Sequence, residues 1–333
     1  MRAYLIRRLL FAVVLVFLST VLSFAILKAS PGSVGGQQFL DPRLSREYIE
    51  AQKRLFGLDR HPVVQYLDWL GVTYLFHRAE RPGLIEGDLG LSLMYKQPVG
   101  HVIAPRLRAT LALNVITLLF TWLIAIPLGI WAAVKQYRWP DKMLSAVSFA
   151  GMSLPGFFAA LILLWIFASH THVLPPGGLR SLNHDQLGFW AGMADYAVHM
   201  IVPVAVLTFG ALASLQRIMR GNMLEVLREQ YVTTARAKGL NENRVIYKHA
   251  LRNAINPLIT ILGFEFAGLF GGAALLENVI NFPGMGQLIL EALRAKDQSL
   301  VMATFLIGSI MLVIGNLLAE VLLALVDPRV KYE

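Results

Sequence analysis

The chain has no cysteine among its 333 residues. A disulfide framework, a thiolate metal site and a cysteine nucleophile are therefore excluded, and redox compartment leaves no trace in cysteine usage. Charge is scarce as well: Asp, Glu, Lys and Arg make up 15% of the chain against 56% hydrophobic residues. With a positive mean hydropathy, this places the sequence in the membrane class rather than the soluble one. There is no G-x-x-x-x-G-K-[ST] phosphate loop, so the chain lacks the lysine and backbone cradle that hold ATP. Neither HExxH nor a serine in a G-x-S-x-G context occurs, which leaves an intramembrane hydrolase without support.

What the chain has instead is long apolar runs. Stretches near 9–28, 108–134, 143–169, 199–217, 257–279 and 301–326 each reach the length of about 18 residues expected of a membrane span. The first, Leu9 to Leu27, follows a basic start and is longer than a signal-peptide core, so it is expected to stay as a span; a signal peptide is the alternative. Six spans put both termini on one side. The formal charge of +9 would suggest nucleic acid in a soluble chain, but here its distribution matters more. Arg2, Arg7 and Arg8, then Lys135, Arg138 and Lys142, then the cluster from Arg217 to Arg252, then Arg329 and Lys331 all fall on the side of the termini. That side is expected to be cytoplasmic, and no nucleic-acid partner is expected.

The pattern divides the chain into an N-terminal span (1–28), an external insertion (29–102) and a five-helix core (103–333) with a cytoplasmic loop at 218–256. The fold expected is all-α and polytopic, with six transmembrane helices and a helical insertion after the first. Within the insertion, LSREYIEAQKRLFGL has helical apolar spacing and HPVVQYLDWLGVTYLF restarts with Pro62 in the first turn. A small helical cap results, either a lid on the membrane face or a docking surface. Pro127 with Gly129, Pro155 with Gly156, Pro203, and Gly263, Gly268, Gly271 and Gly272 interrupt the spans. They allow close helix packing or serve as bending points.

The loop from Arg217 to Pro257 is too long for a simple turn. Its eight basic residues and three glutamates suit a surface at the anionic leaflet. Glu229 to Lys238 reads as a helix stopped at Gly239, and Asn241 can cap a second helix. Thr234, Ala235 and Ala237 are small, so the first helix offers a shallow face for another protein.

Among ionisable residues in the apolar runs, Glu265 either lines a cavity or is a hydrogen-bonded packing residue. Glu277 and Glu320, near span ends, read as structural. Phe264, Phe266 and Phe270 form an apolar gate or belong to the core. His170, His172 and His184 lack the spacing and carboxylate partners of a metal site, and no metal is expected.

YVTTARAKGL followed by KHALRNAINPLIT resembles the cytoplasmic coupling loop, or EAA loop, of the dipeptide/oligopeptide permeases of ABC importers. The resemblance runs along nearly the whole chain: IRRLL, ASPG, GDLGLSL, IPLGIWAAVK, SLPGFF, HMIVPVAVL, LLENVINFPGMGQLI and NLLAEVLLALVDPRV occur in that order. It implies a type I ABC importer permease fold. The function implied is a permease subunit that moves di- or oligopeptides, or peptide-like compounds, through a prokaryotic inner membrane by alternating access. Nickel, glycosides or another small solute are alternatives within the family. An ion-coupled secondary transporter is a further alternative, for which paired mid-membrane carboxylates and internal repeats are missing. The resemblance further implies a non-catalytic chain without cofactor, and ATP and Mg bound by separate ATPase subunits. The partners implied are a second related permease, two ABC ATPase subunits or domains, and an extracytoplasmic peptide-binding protein. It assigns ATPase coupling to Glu229, Tyr231, Thr234, Ala235, Ala237, Gly239 and Leu240; the candidates for the translocation pathway, Phe264, Glu265, Phe266 and Phe270, rest on the charge and aromatics of the fifth run instead. Thr233 and Thr234 occupy positions where the founding loop pattern has Glu and Ala, and His249, Leu251 and Arg252 replace its Ile-x-Leu-Pro end.

Overall fold

The computed structural model describes residues 2–30, 45–76, 82–268 and 273–326. Among these residues there is no β-strand, only an isolated bridge between Leu91 and Pro98. The helices are α1 (Arg2–Ala29), α2 (Arg46–Leu55), α3 (Pro62–Leu70), α4 (Val99–Val134), α5 (Trp139–Ser153), α6 (Gly156–Leu164), α7 (Phe189–Val226), α8 (Gln230–Ala237), α9 (Asn256–Gly268), α10 (Ala274–Val279), α11 (Met285–Ala295) and α12 (Gln298–Val326). In hydrocarbon every backbone polar group must be paired within the protein, which is why the apolar runs fold as helices.

Among the described residues four helices, α1, α4, α7 and α12, are by themselves long and apolar enough to cross a membrane. The expected span at 143–169 takes a different form: α5 and α6 are bent by 99° at the break between them. The cause is local. Pro155 disfavours helical geometry in the residue before it, and Leu154 is extended at φ −93°, ψ 117°. The expected span at 257–279 begins with the thirteen residues of α9; residues 269–272, including Phe270, lie outside those described.

The centre of the bundle is the pair α4 and α7, which run in parallel. Gly129 makes their close approach possible, because a Cβ built there would lie 2.6 Å from Met219 Cβ and 2.9 Å from the Gln216 carbonyl oxygen. Asp141, buried at the start of α5, receives two hydrogen bonds from Arg220 of α7, at 2.5 and 2.7 Å, and one from the Tyr137 N–H at 2.9 Å. Ser148 donates to Gln216 at 2.9 Å. This planar fork pairing fixes α5 against α7 in one register. On the other side α1 packs on α12, joined by Arg8 to Glu320. Glu320 therefore has the structural role expected of it.

The insertion caps one end of this bundle, here called the insertion end. Ser45 caps α2 by accepting from the Tyr48 N–H at 3.2 Å, and Pro62 opens α3. Trp69 of α3 packs with Phe24, Met302 and Leu306 of α1 and α12. The Tyr66 and Thr20 hydroxyls lie 2.9 Å apart, and Lys28 donates to Gln65 at 2.5 Å. The described part of the insertion is thus a helical lid seated on α1 and α12. Gly129→Val is expected to force Met219 aside and lower stability by about 1–3 kcal/mol. A thermal unfolding midpoint in detergent equal to wild type would refute that contact.

Candidate functional site

At the end of the bundle opposite the insertion, α7 passes through a turn into α8. The chain then reverses at Gly239 and returns through Glu242–Arg244 and the wide turn Val245–Ala250 to α9. Gly239 has φ +73°, a left-handed conformation in which a β-branched residue is strained. Asn241 caps the returning segment by accepting from the Asn243 N–H at 2.9 Å. Arg236 and Glu242 bridge the reversal at 2.7 Å. The hydrogen bond from Arg236 holds the Glu242 carboxyl below its ordinary range. The pair is therefore present above the ordinary carboxylate pKa and is lost as pH falls through the lowered one.

This loop is bolted to the bundle. Val232 and Ala235 of α8, with Val245, Ile246 and Ala250 of the return, pack against Ala125, Ile130 and Ala133 of α4 and Leu215, Met219 and Met223 of α7. Helical periodicity separates the two faces of α8. Tyr231, Thr234 and Ala237 are exposed, as are Glu229 and Gly239 beside the helix. Ala235 is not part of that exposed face. It is 7% exposed and lies three positions from Val232 on the inner stripe, so its methyl seats the helix. Leu240 packs against the same inner cluster. The Tyr231 hydroxyl accepts from the Asn253 amide at 2.7 Å, and Asn222 donates to the Ala254 carbonyl at 3.2 Å.

A trough of about 1110 Å³ lies between α4 and α7. Its lining runs from Pro105 to Ile124 on α4 and from Met193 to Leu212 on α7. Nineteen helical steps on each wall make it about 28 Å long, close to the thickness of a hydrocarbon core. Ile116, Phe120, Met200, Val204 and Phe209 make its surface mainly apolar. Phe264 and Glu265, assigned to a pathway from sequence, are not among the residues that line it. Glu265 accepts a 2.6 Å hydrogen bond from the Trp122 indole, joining α9 to α4 as a packing residue. Phe264 is 71% exposed, and Phe266 belongs to α9. His170 stacks on Trp165, whereas His184 pairs with Asp195 at 2.7 Å.

The insertion end carries a polar network that the sequence reading missed. Arg106 donates to Gln287 at 2.9 Å and to the Tyr95 hydroxyl at 3.2 Å, while Tyr95 donates to Glu291 at 2.7 Å. Burial first, then the hydrogen bond to Glu291, pushes the Tyr95 hydroxyl up to about 12. Its contribution is complete below the ordinary tyrosine value of 10.0 and is lost as pH rises toward 12. Glu277, fully buried, accepts from the Gln287 N–H at 2.7 Å and so caps the start of α11. Asp297 accepts from Ser92 at 2.6 Å, from the Met94 N–H at 2.9 Å and from the Leu300 N–H at 3.1 Å. It thereby ties the GDLGLSL turn to α12.

A membrane bundle with a long trough between its central helices and a folded loop anchored beneath it is the architecture of a transporter subunit. The chain belongs to the family of binding-protein-dependent transport system inner membrane components, whose profile matches residues 125–332. The N-terminal profile of such membrane components matches residues 1–114. The oligopeptide transport system permease protein AppB of Bacillus subtilis is 37% identical over 333 residues, covering 100% of both chains. The glutathione transport system permease protein GsiC of Escherichia coli K12 is 31% identical over 330 residues, covering 99% of each. A chain from inward-facing structures of the MetNI methionine ABC transporter superposes with a TM-score of 0.54 at 18% identity, covering 68% of this chain and 97% of that one. The protein is a multi-pass inner membrane permease subunit with the type I importer fold. It is non-catalytic, with ATP hydrolysed by separate subunits.

Gly239→Val is expected to speed amide hydrogen exchange across residues 230–244 while leaving the middle of α7 unchanged. Equal protection of the loop in variant and wild type would show that the left-handed turn does not hold it.

Proposed function

We propose that this chain is one of two related permease subunits of an ATP-driven importer of di- or oligopeptides, working by alternating access. The relatives named for oligopeptide and glutathione transport support the substrate class. In this reading the division is 1–28, 29–102 and 103–333. The loop end and both termini are cytoplasmic, in keeping with the basic residues gathered there. The insertion faces outward, where an extracytoplasmic peptide-binding protein delivers substrate.

The observation that carries the mechanism is the seating of α8 on the ends of α4 and α7, the two helices that wall the trough. A force applied to the exposed face of α8 is transmitted to the trough walls through packed side chains rather than through a free linker. Of the two ATPase subunits, which bind ATP and Mg, one grips that face at Glu229, Tyr231, Thr234, Ala237 and Gly239. Ala235 and Leu240 hold the helix in place from beneath. The trough is one wall of the pathway, and the second permease supplies the other. ATP-driven closure of the ATPases has only to bias two packings that differ by a few kcal/mol.

The test is affinity purification of the tagged chain in mild detergent with paired variants. Thr234→Arg combined with Ala237→Arg is expected to release the ATPases while leaving the thermal midpoint of the chain unchanged. Ala235→Arg is expected to lower that midpoint, because it forces a charge into the inner cluster. Retention of the ATPases by the double variant would overturn the coupling assignment, and purification without a second permease would overturn the assembly.

A further inference from the structure

We propose that Arg108 reads the C-terminal carboxylate of a peptide as it enters the trough. This inference rests on the peptide-importer reading above. Arg108 is the one charged residue in the lining among the described residues, and it stands at the insertion end, which that reading places outside. The chain carries a second arginine two positions away, and the two differ in what holds them. Arg106 is engaged by Gln287 and Tyr95, with Glu291 nearby at 3.8 Å. Arg108 turns to the trough, and its Nε donates at 3.3 Å to the Ala104 carbonyl of its own helix. Among the described residues no carboxylate pairs with it.

A guanidinium stays charged at any physiological pH and presents a planar fork that fits a carboxylate. On a wall whose other polar side chains, Tyr196 and Thr208, are uncharged, it selects for an anionic group at one end of a substrate with an apolar or neutral body. Further down the trough there is another polar feature. Thr208 lines the wall at 7% exposure, and its Oγ1 has no hydrogen-bond partner among the described residues. A peptide with its carboxylate at Arg108 brings amide groups along the wall that carries this hydroxyl. A peptide amide offers the same body without the charge, so the two forms separate the role of Arg108 from general affinity for the trough.

The measurement uses the intact transporter, with its partner subunits and binding protein, in proteoliposomes supplied with ATP. Uptake of trialanine is compared with uptake of trialanine C-terminal amide for wild type, Arg108→Gln and Arg108→Lys. Arg108→Gln is expected to lower uptake of the free acid about tenfold, the scale of losing one charge-assisted pairing, with amide uptake changed less than about twofold. Arg108→Lys is expected to recover part of the free-acid uptake, because charge is kept while the fork is lost. Equal reduction of acid and amide by Arg108→Gln would overturn the inference and mark Arg108 as an anchor to lipid headgroups. Loss of the second permease from the purified variant would overturn it by making Arg108 a subunit contact. An unchanged ratio of acid to amide uptake in Arg108→Gln would likewise overturn it. Uptake of neither peptide by wild type would refute the peptide-importer reading itself, and the inference with it.

Discussion

The close packing of α4 on α7 is the contact on which the rest of the structure depends. Within a bilayer, burying apolar side chains against another helix gains little over burying them in lipid, so association rests on close fit and interhelical hydrogen bonds. Gly129 supplies the fit near the loop end, where Met219 and Gln216 press against the α4 backbone. Toward the insertion end Ala109 and Leu113 of α4 pack in one buried cluster with Val202 and Val206 of α7, and the trough runs along the same two helices. A single helix pair thereby carries both the platform on which the loop is seated and the walls of the trough.

Polar ties then fix the remaining helices to that pair, and most sit toward helix ends. Asp141 with Arg220 and Arg8 with Glu320 act near the loop end; Arg106, Glu277 and Asp297 act at the insertion end. Each pairs groups that would be expensive to leave unmatched in a dry interior, so the ties select a register more than they add stability. Beyond the described network at the insertion end, Arg108 keeps an ionic face toward the trough. The division of labour between Arg106 and Arg108 follows from helix geometry: two positions apart is about 200° around the axis, so the two side chains face different environments.

Much of the architecture was legible in the sequence because its signals are local. Apolar run length marked the spans, Ser45 and Pro62 marked the starts of the lid helices, and Gly239 with Asn241 marked the reversal after α8. The sharp bend at Leu154 and Pro155 was signalled only as an interruption, since a proline in a span can kink it mildly or turn it aside. Of the residues assigned to the pathway from sequence, Phe264 and Glu265 do not line the trough. Glu265 stood out as a lone charge in an apolar run, yet its partner Trp122 lies 143 positions away and makes it a packing residue.

By itself the sequence determined that this is a helical membrane protein without thiol chemistry or an ATP cradle, and where its lid and reversing loop fall. These properties follow from composition, run length and capping residues, which act over a few positions. Only the tertiary structure decided which faces of α4 and α7 meet and which wall a trough. It also decided that Ala235 points inward and that Arg108 is without the partners Arg106 has. Helices apolar on every side carry no periodic mark of their buried face. Pairings between distant residues are set by where the packed helices place them.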